Sequence, residues 1–292
     1  LRQKYFGKGQ PIIARGFIND SCHWGLDFLR QHLGHQTFPV RHYGRKRYQQ
    51  DIRKWEDMGS GVPVQQLTFN AYADMIASGE AHQNDLYLAR CSLKGTSLEN
   101  VTTLTEIEHT LHLKNPVTSH NLWCGPAGHT SYLHYDPMDG TLVQLVGSKR
   151  ITMFPPSQLY NLYPFSIWNH FIHGAKRRAV YSQVSLAQPD LQSFPKFPVA
   201  SSHRIEITLQ PGDILFIPAG WWHQVTSVGE GVVCSINRWW NVPLERTITN
   251  WSKLRAHIGS LLGAHHTVFD LLEALVMSDQ RQQKLRELIQ RF

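Results

Sequence analysis

The segment "HRIEITLQPGDILFIPAGWWHQVTSVGEGVVCSINRWW" (203–240) limits the fold more than any other part of the chain. Ile205, Ile207 and Leu209 alternate with polar residues, the two-residue period of a half-buried strand. "QPGD" then turns the chain into the apolar run "ILFIP". Alternation, a Pro-Gly-Asp turn and a second apolar run read as antiparallel strands. The same texture begins near residue 120, where "TLVQLVG" and "RITMF" are joined by a short turn around Ser148. Several such strands closing around a pocket predict a mainly β fold, a sandwich or jelly-roll barrel.

The flanks read differently. "GQPIIARGF" (9–17) looks like a strand leaving a turn, and "HWGLDFLRQHLG" (23–34) like a short helix stopped by Gly34. "TFNAYADMIASGE" (68–80) predicts another helix and "DLYLARCSL" (85–93) another strand. At the far end Val268, Leu271, Leu272 and Leu275 fall at helical spacing, as do Leu285, Leu288, Ile289 and Phe292, with "SDQ" (278–280) as a cap between two amphipathic helices. Such helices either pack on the barrel or form a homodimer surface.

Composition narrows the class. With 292 residues, 41% hydrophobic and 17% charged, the chain can bury a sizeable core. It has no apolar run of about 18 residues, so no membrane span is expected. It starts at Leu1, which leaves room for a trimmed leader, although no signal-peptide pattern remains. Cys22, Cys91, Cys124 and Cys234 are isolated from one another, which fits reduced thiols and a cytoplasmic location. The net charge of +7 favours anionic partners in a general way. The basic residues are scattered, however, and the densest stretches, "RHYGRKRY" (41–48) and "KRR" (176–178), read first as solvated loops.

The candidate chemistry lies in "SYLHYDPMDGTLVQLVGSKR" (131–150). On a strand, residues i and i+2 share a face, so His134 and Asp136 project together. An imidazole and a carboxylate from one strand end supply two ligands of a facial metal set, and two histidines with one carboxylate suit Fe(II) sites with open positions. Among 17 histidines, a His-x-Asp pair alone reads first as a structural hydrogen-bonded pair. His223 changes the balance, because it follows "PGDILFIPAGWW" at the start of a strand that could face the same interior. Trp221 and Trp222 beside it are bulky enough to wall off a site, or are simply core. Lys149 begins the strand after a tight turn, and a lysine inside a barrel needs an anionic partner. His120 and His129 read as loop histidines, His265 and His266 as surface or cap residues, Trp239 and Trp240 as core, and "FPP" (154–156) as a strand terminator.

These segments carry a resemblance. "HYDPMDGTLVQLVGSKRITMFPPSQLYNLYPF", "PGDILFIPAGWWHQV" and "INRWW" are similar, in order and spacing, to the motif blocks of the JmjC-type Fe(II)/2-oxoglutarate dioxygenases. The similarity is to the branch holding the hypoxia-inducible-factor asparaginyl hydroxylase and the tRNA wybutosine hydroxylase. It covers roughly 120–242 strongly and the N-terminal part loosely. It implies a double-stranded β-helix, the jelly-roll or cupin barrel, with flanking and C-terminal helices. The catalytic domain would span 1–242, with its barrel core at about 120–242 and a helix and strand part at 1–119, and residues 243–292 would form a helical extension.

The resemblance also implies roles. His134, Asp136 and His223 would hold Fe(II). Lys149 would pair with the distal carboxylate of 2-oxoglutarate, assisted by Ser131 and Tyr87, and Asn237 would lie near the metal and the keto-acid end. Ser131 stands where the asparaginyl hydroxylase has threonine, which keeps the hydroxyl. Gly140 stands where it has asparagine, so one contact is missing or supplied otherwise. The implied reaction hydroxylates a side chain of a protein or peptide, with release of succinate and CO2. Hydroxylation of tRNA or of a small molecule, methyl-lysine demethylation, and a non-oxygenase metal-binding cupin stay open as alternatives.

Overall fold

The computed structural model describes residues 9–18, 24–57, 61–174, 179–242, 246 and 249–276. Its N-terminal part contains β1 (Ile12–Ala14), α1 (Leu26–Leu33), β2 (Thr37–His42), β3 (Val64–Thr68), α2 (Phe69–Ala77), α3 (Glu80–Asn84), β4 (Leu86–Ser92) and α4 (Thr102–Thr110). The barrel region continues with β5 (Asn121–Pro126), β6 (Thr130–Tyr135), β7 (Asp139–Val146), β8 (Ser148–Phe154), α5 (Trp168–His173) and α6 (Phe197–Ser201). It closes with β9 (Ile205–Leu209), β10 (Ile214–Ile217), β11 (Trp222–Val228) and β12 (Val232–Trp240), after which come α7 (Trp251–Leu262) and α8 (Ala264–Val276).

The strands form two antiparallel sheets, a mainly β double-sheet fold of the cupin type with flanking helices. The larger runs β1-β10-β7-β12-β5-β4-β2-β3 and the smaller β6-β11-β8-β9. The expected "QPGD" turn is present between β9 and β10. Pro211 fixes the first corner and Gly212 takes φ +89°, the left-handed value that a type II turn requires at its second corner. Asp213 then accepts from the Gly16 amide at 3.0 Å and from Arg15 at 2.5 Å, which pins β1 onto the sheet edge.

Three apolar layers position the strands. Helices α1, α2 and α4 cover the outer face of the large sheet through Leu29, Leu33, Phe69, Tyr72, Leu104 and Ile107. Leu142, Ile151, Met153, Leu209, Leu215 and Ile217 fill one end of the space between the sheets. Behind the small sheet, Leu133, Tyr135, Phe154 and Trp222 pack on Leu159, Leu162 and Ala256 of α7. The reading of "FPP" holds, since β8 ends at Phe154 and a 3-10 turn starts at Pro156.

α7 is fastened to the barrel by polar groups. Asn250 caps it by accepting from the Lys253 amide at 3.1 Å and donates to the Ala219 carbonyl at 2.9 Å. Buried Arg255 donates to the Ala179 carbonyl at 2.5 Å and to the Phe165 carbonyl. Arg255→Ala would leave both acceptors unpaired. The expected result is a loss of about 2–4 kcal/mol in urea unfolding, the cost of orphaning buried carbonyls. The next helix is different, because Val268, Phe269, Leu271 and Leu272 of α8 are exposed. The second amphipathic run (285–292), its "SDQ" cap, "KRR" (176–178) and Cys22 lie outside the described residues. Cys91, Cys124 and Cys234 are free thiols, all buried.

Candidate metal centre

The pairing of β6 with β11 decides which side chains reach the interior. His134 stands opposite His223 and Ser131 opposite Val225, so three steps along β6 match two along β11. This is a β-bulge, one extra residue that resets the side-chain alternation. Under strict alternation Ser131 and His134 would face opposite ways. With the bulge, Ser131, His134 and Asp136 all line one cavity, while Leu133 and Tyr135 enter the core behind the sheet. Asp136 lies just past the end of β6, where its own carbonyl accepts from the Gly220 amide at 2.8 Å.

His134, Asp136 and His223 converge, with one donor atom from each lying within 4.8 Å of the others. The two imidazoles lie 4.4 Å apart between centroids, and His223 Nε2 is 3.9 Å from Asp136 Oδ2. Both rings are oriented by the same device. His134 Nδ1 donates to the Tyr132 carbonyl at 2.6 Å, and His223 Nδ1 to the Trp221 carbonyl at 3.0 Å. In each case the acceptor is the main chain two residues back, which fixes the tautomer and turns Nε2 inward. Asp136 Oδ2 accepts the Trp239 indole N–H at 2.9 Å. Two imidazole nitrogens and one carboxylate oxygen, held by outer hydrogen bonds and open on one side, fit a divalent iron.

The expected wall of tryptophans is arranged otherwise. Trp222 belongs to the core behind the small sheet, and Trp221 packs between the sheets with its indole N–H on the Gly9 carbonyl. The tryptophans that line the cavity are Trp239 and Trp123. Trp239 therefore combines packing with a contact to the metal donor, beyond the core role read from sequence. Asn237 and Trp239 are two apart on β12, so the strand period could have found the second from the first. Trp123 gives no local signal, because it reaches the site only through the β5–β12 register. Trp239→Phe keeps the ring and deletes the N–H. Fe(II) affinity is expected to fall about 10- to 100-fold, read by anaerobic metal titration, as for other residues that orient a ligand.

The predicted cosubstrate residues divide. Lys149, Ser131 and Asn237 line the same cavity as the triad, and Gly140 borders it beside Trp239. A Cβ at Gly140 would meet the Trp239 ring at 3.7 Å, an ordinary contact. Asn237 Oδ1 accepts the Trp123 indole N–H at 2.7 Å. Lys149 is 2% exposed, and its Nζ donates to Ser235 Oγ. Burial pushes its pKa down to about 8, and among the described residues no carboxylate offsets this. Lys149 stands opposite Ser227 on β11 while Met153 stands opposite His223, so about 13 Å of strand separates the lysine from the metal donors. Tyr87 lies outside the cavity lining. Its ring stacks on His129, 3.7 Å away between centroids.

His120 and His129 do occupy loop positions, but both are buried. His120 bonds Glu108 at 2.7 Å and His129 bonds Asp85 at 3.1 Å. Sequence reasoning gave neither a partner, since Glu108 and Asp85 come from other elements. His265 Nδ1 lies 3.0 Å from the Leu262 carbonyl at the start of α8.

Two packed antiparallel sheets with a two-histidine, one-carboxylate set opening between them define a cupin-type barrel with a candidate metal centre. The chain belongs to the family described as Cupin-like domain, whose model matches residues 1–246. It is similar to Jumonji C domain-containing protein 5 of Drosophila melanogaster, 29% identical over 82% of this chain and 57% of that one. Lysine-specific demethylase 8 of Xenopus tropicalis is 38% identical over 82% of this chain and 50% of its own length. Human HSPB1-associated protein 1 is 39% identical over a shorter part, 40% of this chain and 22% of that protein. The chain spans about half the length of the first two relatives. These names bear out the resemblance to JmjC proteins.

Proposed function

We propose that the chain is an Fe(II)- and 2-oxoglutarate-dependent oxygenase that hydroxylates a side chain of a protein or peptide and releases succinate and CO2. One observation carries this reading: a buried ammonium, Lys149, without a carboxylate partner among the described residues, faces the same cavity as the His134, Asp136, His223 set. An unpaired buried cation is costly, and a short dicarboxylate spanning from lysine to metal removes that cost. A non-oxygenase cupin has no such need for an interior lysine.

Iron(II) and 2-oxoglutarate, when bound, supply dioxygen activation coupled to oxidative decarboxylation, which delivers one oxygen atom to an unactivated C–H bond. The chain supplies placement. Lys149 and Ser131, which line the cavity, would take the distal carboxylate. Asn237, which lines the same cavity, would lie near the cosubstrate's metal-proximal end. Trp123 and Trp239 exclude water and hold Asn237 and Asp136 in orientation.

The relatives named as lysine-specific demethylases favour a protein or peptide acceptor over RNA or a small molecule. They also favour a second outcome at the same site, hydroxylation of an N-methyl group with loss of formaldehyde. Among the described residues no helix is long and apolar enough to cross a membrane. A cytoplasmic location and a homodimer through the C-terminal helices are secondary proposals, resting on the free thiols and the exposed α8 face.

The test is incubation with Fe(II), 2-oxoglutarate and a proteome-derived peptide mixture under air. The expected result is succinate formation, with a mass gain of one oxygen on a peptide, or a methyl loss with formaldehyde. Absence of 2-oxoglutarate-dependent succinate, coupled or uncoupled, would overturn the proposal.

A further inference from the structure

We infer, resting on the cosubstrate reading above, that Gly140 determines which cosubstrates the cavity accepts. Its missing side chain leaves a gap at the metal end, and that gap admits 2-oxo dicarboxylates with a small apolar substituent on C3, the carbon next to the keto group.

Two glycines lie within the described strands, Gly125 in β5 and Gly140 in β7. A glycine inside a strand forgoes side-chain packing and loses more backbone entropy on folding, so each needs a cause. For Gly125 the cause is a neighbour, because an added Cβ would come within 2.2 Å of Tyr87 Cδ2. Gly140 has no such cause within the protein. Its φ lies outside the left-handed region, so the backbone would accept any residue. It pairs with Ile217 of β10 and with Trp239 of β12, and no register shift falls beside it. An added Cβ would meet the Trp239 ring at 3.7 Å and the Ile217 carbonyl at 4.0 Å, so alanine fits. The remaining reason for a glycine in a strand is the close approach of a ligand. Gly140 does line the cavity shared by His134, Asp136, His223 and Lys149.

Strand register places the gap along that cavity. Ile217, Gly140 and Trp239 form one cross-strand row, and all three line the cavity. Trp239 donates to Asp136 Oδ2 at 2.9 Å, so this row stands at the metal end. The lysine end lies at the row of Gln144 and Ser235, since Ser235 Oγ accepts from Lys149 Nζ. The two rows are four residues apart on β7, about 13 Å of strand. A dicarboxylate anchored by Lys149 therefore brings its keto-acid end, not its distal end, beside Gly140. The gap is one side chain wide and is walled by the Ile217 side chain and the Trp239 indole. Hydrocarbon and indole walls favour an apolar group there, and the Asp136 carboxylate next to them disfavours an anionic one.

The full chain, loaded with Mn(II) to prevent turnover, is titrated calorimetrically with 2-oxoglutarate and with 3-methyl-2-oxoglutarate, as wild type, Gly140→Ala and Gly140→Val. The quantity read is the ratio of the two dissociation constants, which cancels general damage to the site. In the wild type the methyl compound is expected to bind within about threefold of 2-oxoglutarate, because its extra group has a place to go. Gly140→Ala is expected to raise the ratio roughly tenfold and Gly140→Val up to about 100-fold, the range for one methyl group in an apolar pocket. Thermal unfolding of the ligand-free protein gives a second readout. Gly140→Ala should melt at or above the wild-type temperature, since alanine meets no clash and restricts the unfolded chain. A glycine kept for structure would instead lower it. A wild-type ratio above about 30 overturns the inference. So does a Gly140→Ala protein that melts well below wild type, or a ratio that neither substitution moves, which would leave the gap to the acceptor side chain of the substrate. A wild-type chain that binds neither compound brings down the cosubstrate reading itself, a result distinct from an unmoved ratio.

Discussion

Asp136→Ala abolishes Fe(II)-dependent 2-oxoglutarate turnover, with at least about a thousandfold loss expected, more than the 10- to 100-fold typical when a ligand's outer partner is removed. The reason is geometric. Asp136 gives the only oxygen in the converging donor set, and its Oδ2 sits 3.9 Å from His223 Nε2. Without it two imidazoles remain, held by the Tyr132 and Trp221 carbonyls, with no anionic ligand to offset the charge of a divalent ion. The substitution also frees the Trp239 indole N–H at the cavity wall, so the aromatic side loses its anchor. His134→Ala is expected to match it in activity while sparing the Asp136–Trp239 contact. Both variants should fold, because neither side chain belongs to the apolar layers. Iron content after anaerobic reconstitution, read beside succinate release, separates metal loss from misfolding. Full activity in either variant with iron supplied would sink the metal assignment.

Lys149→Met produces the second large effect, and it splits stability from binding. Methionine fills similar length with no charge, so the ligand-free protein is expected to be as stable as wild type or more so, because the cost of burying an unpaired ammonium is gone. Cosubstrate affinity falls by a factor on the order of 100 or more, the scale of truncating one partner of a buried charge pair. Acidity provides an independent check. Burial lowers the Lys149 pKa from the ordinary 10.5 to about 8. Between those values the unfolded chain binds the proton that the folded protein has released. Stability of the empty wild-type protein therefore gains from this group as pH rises through about 8 to 10.5, and the gain is lost as pH falls through about 8. Affinity moves oppositely. The ammonium that attracts the distal carboxylate is intact below about 8, so 2-oxoglutarate binding weakens above it, by up to about tenfold per pH unit. Lys149→Met shows neither slope. Calorimetric titrations at pH 7 and 9 decide the matter, and equal affinities at both for the wild type would remove Lys149 from the anchor role.

The elements legible in the sequence were those whose cause is local. "QPGD" carries its own turn chemistry, and the 205–209 alternation its own period. The triad was legible because two donors sit on one strand end and the third behind a Pro-Gly-Asp turn. Strands β2 and β3 escaped notice because "TFPVRH" and "VQQLT" have no clean alternation, and their partners are each other and β4 at the edge of the large sheet. Trp123 and Asn237 meet only because β5 and β12 pair across more than a hundred residues. His129 was legible as a loop residue but not as a buried one, since its partner Asp85 lies on a distant element. Local pattern reveals a residue's element and face, whereas contact between elements depends on register, which no short window contains.

The extra residue in β6 gives the site two reading frames. Donor atoms downstream of it and the Ser131 hydroxyl upstream occupy the same interior only because the strand slips phase between them. A one-residue insertion between His223 and Val225 of β11 would match three steps with three and remove the bulge, sending either the metal donors or the hydroxyl to the outside of the barrel while every ligand residue stayed in the sequence. In this chain the spelling of the motif and the function of the motif are separable, and strand length is what joins them.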